Sequence, residues 1–215
     1  MICPLCLSID STHFANADDR DYFRCPRCQL TFLAPEQLPD AAAERAHYGL
    51  HENDPADPRY CGWLSQLAAP LDKQLIAPSK GLDYGCGPGP ALAQMMQERG
   101  HSMAVYDPIF APDSSVLNQQ YDFVTCTEVV EHFHQPAREF ERLTSLLTPT
   151  GVLAIMTSLL DDGVDFHTWH YRRDPTHVCF YRRETFIWIA AHFGMSTPGV
   201  IGSSVVFLGH KKTAT

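Results

Sequence analysis

Ten residues constrain this chain more than any others: Gly81-Leu82-Asp83-Tyr84-Gly85-Cys86-Gly87-Pro88-Gly89-Pro90. An acid is followed by glycines at alternate positions, 85, 87 and 89, and then at once by a helix-like segment, Ala91 to Arg99. Glycines at such a turn let the backbone bend tightly and let a ligand press against the main chain. Many turns contain a Gly-x-Gly-x-Gly run, so alone it says little. What strengthens it is Met103-Ala104-Val105-Tyr106-Asp107, a strand-like run ending in an acid ~20 residues further on. Doubly wound folds use that spacing to set a carboxylate against ribose hydroxyls.

From Gly81 onward, strand and helix patterns alternate, which implies a parallel sheet. Strands are predicted near 81–84, 103–107, 121–126, 151–157 and 196–208, and helices near 90–99, 136–147 and 183–193. Pro136 suits a first helical turn and Gly194 a helix end. Upstream, Ala41 to Tyr48 favours helix, His51 to Pro58 is polar and turn-rich, and Tyr60 to Ile76 reads as helix with a break at Pro70. The predicted division is a small N-terminal unit at 1–34, a linker and helices at 35–76, and the main domain at 77–215.

With these runs in order, the chain resembles the class I S-adenosylmethionine (SAM)-dependent methyltransferases. Leu82 to Gly89 is similar to that family's first motif and Asp107 to its second acid. Tyr121-Asp122-Phe123-Val124-Thr125-Cys126-Thr127-Glu128 is similar to the fourth-strand motif, and Leu146-Leu147-Thr148-Pro149-Thr150-Gly151-Val152-Leu153 to the turn before the fifth strand. The resemblance covers about residues 75 to 210. It implies an α/β, Rossmann-like doubly wound, mostly parallel sheet of six or seven strands, with SAM as cofactor. The implied cofactor-binding residues are Asp83, Gly85, Cys86, Gly87, Gly89, Asp107, Pro108, Thr127 and Glu128. In similar enzymes the segments before the first core strand fold over the cofactor, which would bring Tyr48 and Asn53 to it. One departure stands out. Only 14 residues lie between Tyr106 and Tyr121, with prolines at 108 and 112, so a helix and a third strand do not both fit comfortably. A vestigial strand near Val116-Leu117 is one expectation, and adenine contacts from Pro108, Ile109 and Phe110 are another.

Four of the eight cysteines form two Cys-x2-Cys pairs, Cys3/Cys6 and Cys25/Cys28, with 18 residues between Cys6 and Cys25. Such pairs read as a zinc ribbon, in which four thiolates at ~2.3 Å close a tetrahedral shell and leave no open position for catalysis. So short a stretch buries too little apolar area to fold alone, so metal binding would supply the folding energy. His13 lies inside the ribbon but outside the filled shell. Cys86 and Cys126 are expected to be small packing residues beside the ligand.

The formal net charge of −9 argues against broad electrostatic binding to a phosphate backbone. Arg172, Arg173, Arg182 and Arg183 could form one basic rim, or could be paired with Asp161, Asp162, Asp165 and Asp174. No unbroken apolar run of 18 residues occurs, and the N-terminus has neither a charged n-region nor an apolar h-region, so a cytoplasmic location is expected.

Glu128-Val129-Val130-Glu131-His132 follows the fourth strand, where open α/β sheets bind ligands. On one helical turn, positions i, i+3 and i+4 project to one side. Two carboxylates and an imidazole there can bind a divalent ion, with His177 as a fourth ligand; mixed N/O ligands favour Mn, Fe or Zn somewhat over Mg. Alternatively the glutamates hydrogen-bond the substrate loop and His132 packs beneath it. The Glu-x-x-Glu-His pattern is similar to that of the ubiquinone-biosynthesis O-methyltransferases and of the small-RNA terminal 2′-O-methyltransferases. Both use a divalent metal, and carrying that role over makes Glu128, Glu131, His132 and His177 the ligands. His167, His170 and His177 precede the last core helix, at the expected substrate wall. An imidazole near a substrate hydroxyl can act as general base, and His177 is preferred because Asp174 could orient it. The catalytic candidates are therefore His177, His132 and Glu131. Methyl transfer to a hydroxyl of a small molecule leads, ahead of an RNA 2′-O-methyltransferase with the ribbon as docking module and of a SAM-binding or zinc-ribbon interaction protein without turnover.

Overall fold

The structure, a computed structural model, describes residues 1–49 and 53–209. His51, where the turn-rich segment is expected to begin, and residues 210–215 of the predicted main domain lie outside the described residues. Three strands open the chain: β1 (Thr12–Ala17), β2 (Arg20–Arg24) and β3 (Thr31–Leu33). Helices α1 (Ala41–Tyr48) and α2 (Pro58–Asp72) follow. The main unit runs β4 (Lys80–Tyr84), α3 (Ala91–Glu98), β5 (Ser102–Tyr106), β6 (Tyr121–Thr127), α4 (Pro136–Ser145), β7 (Leu147–Met156), β8 (Cys179–Phe180), α5 (Arg183–His192), β9 (Gly199–Ile201) and β10 (Val205–Gly209).

The main sheet has six strands among the described residues, in the order β5-β4-β6-β7-β10-β9. Its first four are parallel, while β10 lies antiparallel to both β7 and β9, so the stretch expected as strand near 196–208 is a hairpin. Side chains alternate across the sheet with the period of two that strands impose. Phe123, Ala154, Met156, Val205 and Phe207 pack with Leu64, Leu67 and Leu71 of α2 and Met96 of α3. Val124, Leu153, Ile155, Val206 and Leu208 pack on the other face with Phe140 and Leu143 of α4 and Phe186 and Ile189 of α5. Covering both faces explains why the central strands read as near-continuous apolar runs.

Two expectations are corrected. No third strand forms at Val116-Leu117; those residues lie in a 3-10 turn, Ser114–Asn118, capped by the Asp113 carboxylate accepting from the Ser115 N–H. The two prolines and short length of 107–120 leave no room for a full crossover. Pro70 does not break α2, which continues to Asp72. Proline here removes only the one backbone bond that its own N–H would give, and the apolar seam of Leu64, Leu67, Ala68 and Leu71 holds that end against the sheet.

The N-terminal strands form a second sheet, β1-β2-β3-β8, whose last strand comes from far down the chain. Two similar turns carry the cysteines. The N–H of Leu7 donates to the Cys3 carbonyl and that of Gln29 to the Cys25 carbonyl, each at 3.0 Å, and both residues are left-handed (φ 59° and 60°).

Candidate active site

At the carboxyl ends of β4, β5 and β6 lies a cavity of about 800 Å³. One end is formed by the glycine turn. The N–H groups of Gly85 and Cys86 donate to the Tyr106 carbonyl at 2.7 and 3.2 Å, hanging the turn from the end of β5. Asp107 then fixes its shape. Its carboxylate accepts from the N–H groups of Gly87 (3.1 Å), Ile109 (2.8 Å) and Phe110 (3.0 Å). A carboxylate offers about four acceptor directions, so one remains for a ligand hydroxyl. Pro108, Ile109 and Phe110 line the wall beside it, and Asn53, Tyr60 and Trp63 lie across from it.

The glycines are needed here for space. A Cβ on Gly87 would lie 2.6 Å from the Asn53 amide nitrogen, and one on Gly89 would meet the Asn53 carbonyl oxygen. Gly89→Ala is therefore expected to push residue 53 off the turn and to destabilise the fold by about 1–3 kcal/mol. Thermal unfolding checks this; an unchanged Tm would mean that the contact yields freely.

Asp83 is buried behind the turn, accepting from the Thr125 hydroxyl at 2.7 Å, and lines a side chamber of about 30 Å³ with Asn53, Tyr60, Gly89 and Thr127. Burial, more than the neighbouring Asp107 charge, pushes its pKa up to about 6. The folded chain thus holds this proton more tightly than the unfolded chain. Stability falls as pH rises from about 4 through 6 and stays lower above. Asp83→Asn is expected to raise the ligand-free stability at pH 7.5 by about 1–3 kcal/mol, with the two proteins converging near pH 4. Paired melts across pH check this; a wild-type advantage at pH 7.5 would contradict it.

At the other end, Glu128 closes β6 with a left-handed backbone (φ 53°), an uncommon state for a non-glycine residue that aligns with functional positions. A 3-10 turn, Val130–His132, begins two residues later. Glu128 therefore does not share a helical face with Glu131 and His132, contrary to expectation. The side chains that converge are Glu131, His132 and His177, each offering a ligand atom within 4.8 Å of the others. Glu131 is fully buried. Its Oε2 accepts from the Thr157 hydroxyl at 2.9 Å, and Oε1 has no hydrogen-bond partner among the described residues. That oxygen lies 4.0 Å from Nε2 of both His132 and His177.

Each imidazole is oriented by main chain. Nδ1 of His132 donates to the Thr176 carbonyl at 3.1 Å, and Nδ1 of His177 to the Tyr171 carbonyl at 2.6 Å. A carbonyl only accepts, so the hydrogen is on Nδ1 and the neutral ring presents its lone pair at Nε2. The orienting bond to His177 thus comes from Tyr171 rather than from Asp174, whose carboxylate is 3.8 Å from Nε2. Burial raises the pKa of both Glu128 and Glu131, and the Glu131 charge adds to the rise at Glu128.

His170 also lines the cavity, whereas His167 is exposed and stands outside it. Cys86 lines only the side chamber, and Cys126 is fully buried. Helix α1 lies over this end of the cavity. Asp40 caps it, and it buries no residue. Its Glu44 approaches His134 at 3.0 Å, its His47 meets Asp174 at 2.9 Å, and Tyr48 stands edge-on to His132. Sequence reasoning missed Thr157, and it set Tyr171 on the expected substrate wall without a role for its hydroxyl. Their hydroxyls lie 3.1 Å apart beside Glu131, and only the position of Thr157 just past a parallel strand could have flagged it.

Of the two readings of the arginines, pairing with acids is the one that holds for Arg182 and Arg183, while Arg172 finds a different acid. Arg172 pairs with Asp18, Arg182 with Asp162 and Glu184, and Arg183 with Asp161. Cys3, Cys6, Cys25 and Cys28 are buried with their sulfurs within 4.8 Å of one another, a set able to hold a tetrahedral ion.

A family model described as a methyltransferase domain matches residues 52–197, more than half of the chain. This chain belongs to the methyltransferase domain family. The family and the fold are those of SAM-dependent methyltransferases. This methyltransferase is similar in fold to a 1,6-didemethyltoxoflavin-N1-methyltransferase of Burkholderia thailandensis, solved with 1,6-didemethyltoxoflavin and S-adenosylhomocysteine (17% identity, TM-score 0.56, covering 94% of this chain and 99% of that one). It is also similar to an O-methyltransferase family protein from Burkholderia thailandensis (16%, 0.57, covering 83% and 66%). A third likeness is to CalO1, a methyltransferase in calicheamicin biosynthesis in its S-adenosylhomocysteine-bound form (14%, 0.53); the match covers 80% of this chain and 58% of CalO1. No curated protein matches the chain in sequence. The residues fit SAM: the glycine turn leaves no room for a Cβ, and the Thr127 hydroxyl is buried at the cavity without a hydrogen-bond partner among the described residues. Among those residues no helix is long and apolar enough to cross a membrane.

Proposed function

We propose that this methyltransferase moves a methyl group from SAM to a hydroxyl oxygen of a small molecule. The observation that carries this reading is the Glu131–His132–His177 cluster at the acceptor end of the same cavity whose other end is the glycine turn. SAM, when bound, supplies a methyl already activated by its sulfonium. The protein's task is then to hold the acceptor oxygen in line and to take its proton. The glycine turn, Gly85 to Gly89, holds the amino-acid portion, and the buried Asp83 carboxylate offsets its positive charge. Asp107 takes a ribose hydroxyl, with Pro108, Ile109 and Phe110 beside the adenine. Thr127 and Glu128 border the methyl end. Nε2 of His177 accepts the hydroxyl proton, and Glu131 stabilises the imidazolium that results. In place of that transfer, the same three side chains would suit a divalent ion, whose positive charge would ease loss of the hydroxyl proton to solvent. A structural zinc suits the four N-terminal cysteines. The arginines paired with acids, and the acidic net charge, favour a small acceptor over RNA. Eight unbridged cysteines suit a reducing compartment, so we place the protein in the cytoplasm.

The test is transfer of radiolabelled methyl from SAM to matched small molecules carrying a hydroxyl or an amine at one position, with a structured RNA alongside, with and without Mn²⁺. Label on the hydroxyl series alone supports the reading. Label only on amines or on RNA overturns it.

A further inference from the structure

The N-terminal sheet does not end at the ribbon. Its β3 edge pairs antiparallel with β8, Thr31 opposite Phe180 and Phe32 opposite Cys179. The Leu33 N–H donates to the Val178 carbonyl at 2.9 Å, and the Val178 N–H donates to the Glu131 carbonyl at 2.8 Å. Val178, adjacent to His177, is thus a main-chain bridge with the ribbon on one side and the acceptor cluster on the other. Side chains reinforce the seam. Arg20 Nη2 donates to the Pro175 carbonyl at 2.9 Å, and buried Arg172 reaches Asp18 at 2.8 Å from the turn that carries Tyr171. Tyr22 of β2, Phe166 and Phe180 meet edge to face at 4.8–5.9 Å. The segment that orients His177 therefore takes its own shape from the ribbon.

From this seam we infer that the ribbon is the positioning element for residues 171–180, so that the state of the four cysteines governs the acceptor end of the active site while leaving the cofactor end intact. The inference rests on the reading that His177 serves the acceptor. The physical basis is the disparity between the two units. Three strands, the longest of six residues, bury too little apolar surface to persist alone, and their four buried thiols are the natural place for a metal to supply the deficit. The parallel sheet is held besides by its own strand ladder and by a separate core with α2 and α3 on one face, while its other face is continuous with the ribbon's core. Asp18 and Arg20 are accordingly positioning residues: they touch neither the glycine turn nor the cavity, and they act on His177 through the chain between 171 and 178.

Hydrogen exchange read by mass spectrometry on the full chain tests this, with the zinc-loaded protein compared with a Cys25→Ser/Cys28→Ser variant. The expected result is loss of amide protection at 29–34 together with 176–181, unchanged protection at 80–84 and 121–127, and SAM affinity within a few-fold of the parent. Loss at 29–34 with 176–181 unchanged overturns the inference. Should the core strands lose protection as well, an Asp18→Ala/Arg20→Ala variant decides, because it leaves cysteines and cavity intact. Its protection at 176–181 should fall about tenfold, with kcat reduced, KM for SAM unchanged, and Arg20→Lys alone largely restoring both. Unchanged protection in that variant overturns the inference. Exchange requires no turnover, so a failed methyl-transfer assay with the expected exchange pattern would count against the proposed function and not against the ribbon's role.

Discussion

Glu131→Gln is expected to slow methyl transfer by about 10²–10⁴-fold with SAM affinity changed little. Glutamine keeps the side chain's volume and can still accept from the Thr157 hydroxyl, so the local packing survives. What it removes is the negative charge whose Oε1 lies 4.0 Å from Nε2 of both histidines. Without that charge, the imidazolium formed when His177 takes a proton loses its buried stabilising partner, and a divalent ion loses an anionic ligand. Stability should move the other way. Burial disfavours the carboxylate and raises its pKa, so neutralising it relieves a cost of folding. Single-turnover rates with thermal melts separate the two effects. A slow variant that melts no lower than the parent fits the account; an unchanged rate would remove Glu131 from the chemistry.

Asp107→Ala is expected to weaken SAM binding about 10- to 100-fold, roughly 1–3 kcal/mol. Two losses add. The ribose loses an acceptor, and the N–H groups of Gly87, Ile109 and Phe110 lose the carboxylate that fixes both walls of the site. Asp107→Asn should not rescue fully. Its oxygen can serve Ile109 and Phe110, but its amide then turns a donor toward the Gly87 N–H. Calorimetric titration of both variants with SAM checks this, and unchanged affinity would sink the assignment.

The sequence was most legible where local chemistry decides. The glycine turn, the acid at 107 and the strand–helix alternation follow from neighbours a few residues apart, and the structure hangs the turn from β5 as that spacing implies. The cysteine pairs converge because each turn is closed by its own backbone bonds. The pattern failed where long-range contacts choose. Glu128 was read onto a helical turn because i, i+3 and i+4 is a helical spacing, yet a left-handed strand end and a 3-10 turn occupy that segment. Asp174 stood close to His177 in sequence, but the orienting acceptor is a main-chain carbonyl six residues upstream, and every residue has one of those. The pairing of β3 with β8 joins residues nearly 150 apart and has no sequence signal. Thr157 and the part played by the Tyr171 hydroxyl were invisible for a similar reason: a hydroxyl gains its role only from what the fold sets beside it.

The central claim is that the cavity at the carboxyl ends of β4, β5 and β6 binds SAM through the glycine turn and Asp107. Calorimetric titration of the folded wild-type protein with SAM tests it most directly. The account predicts saturable one-to-one binding in the micromolar range, weakened in Asp107→Ala and retained in Glu131→Gln. Folded protein that takes up no SAM, or binds it equally well with Asp107 replaced, would contradict it.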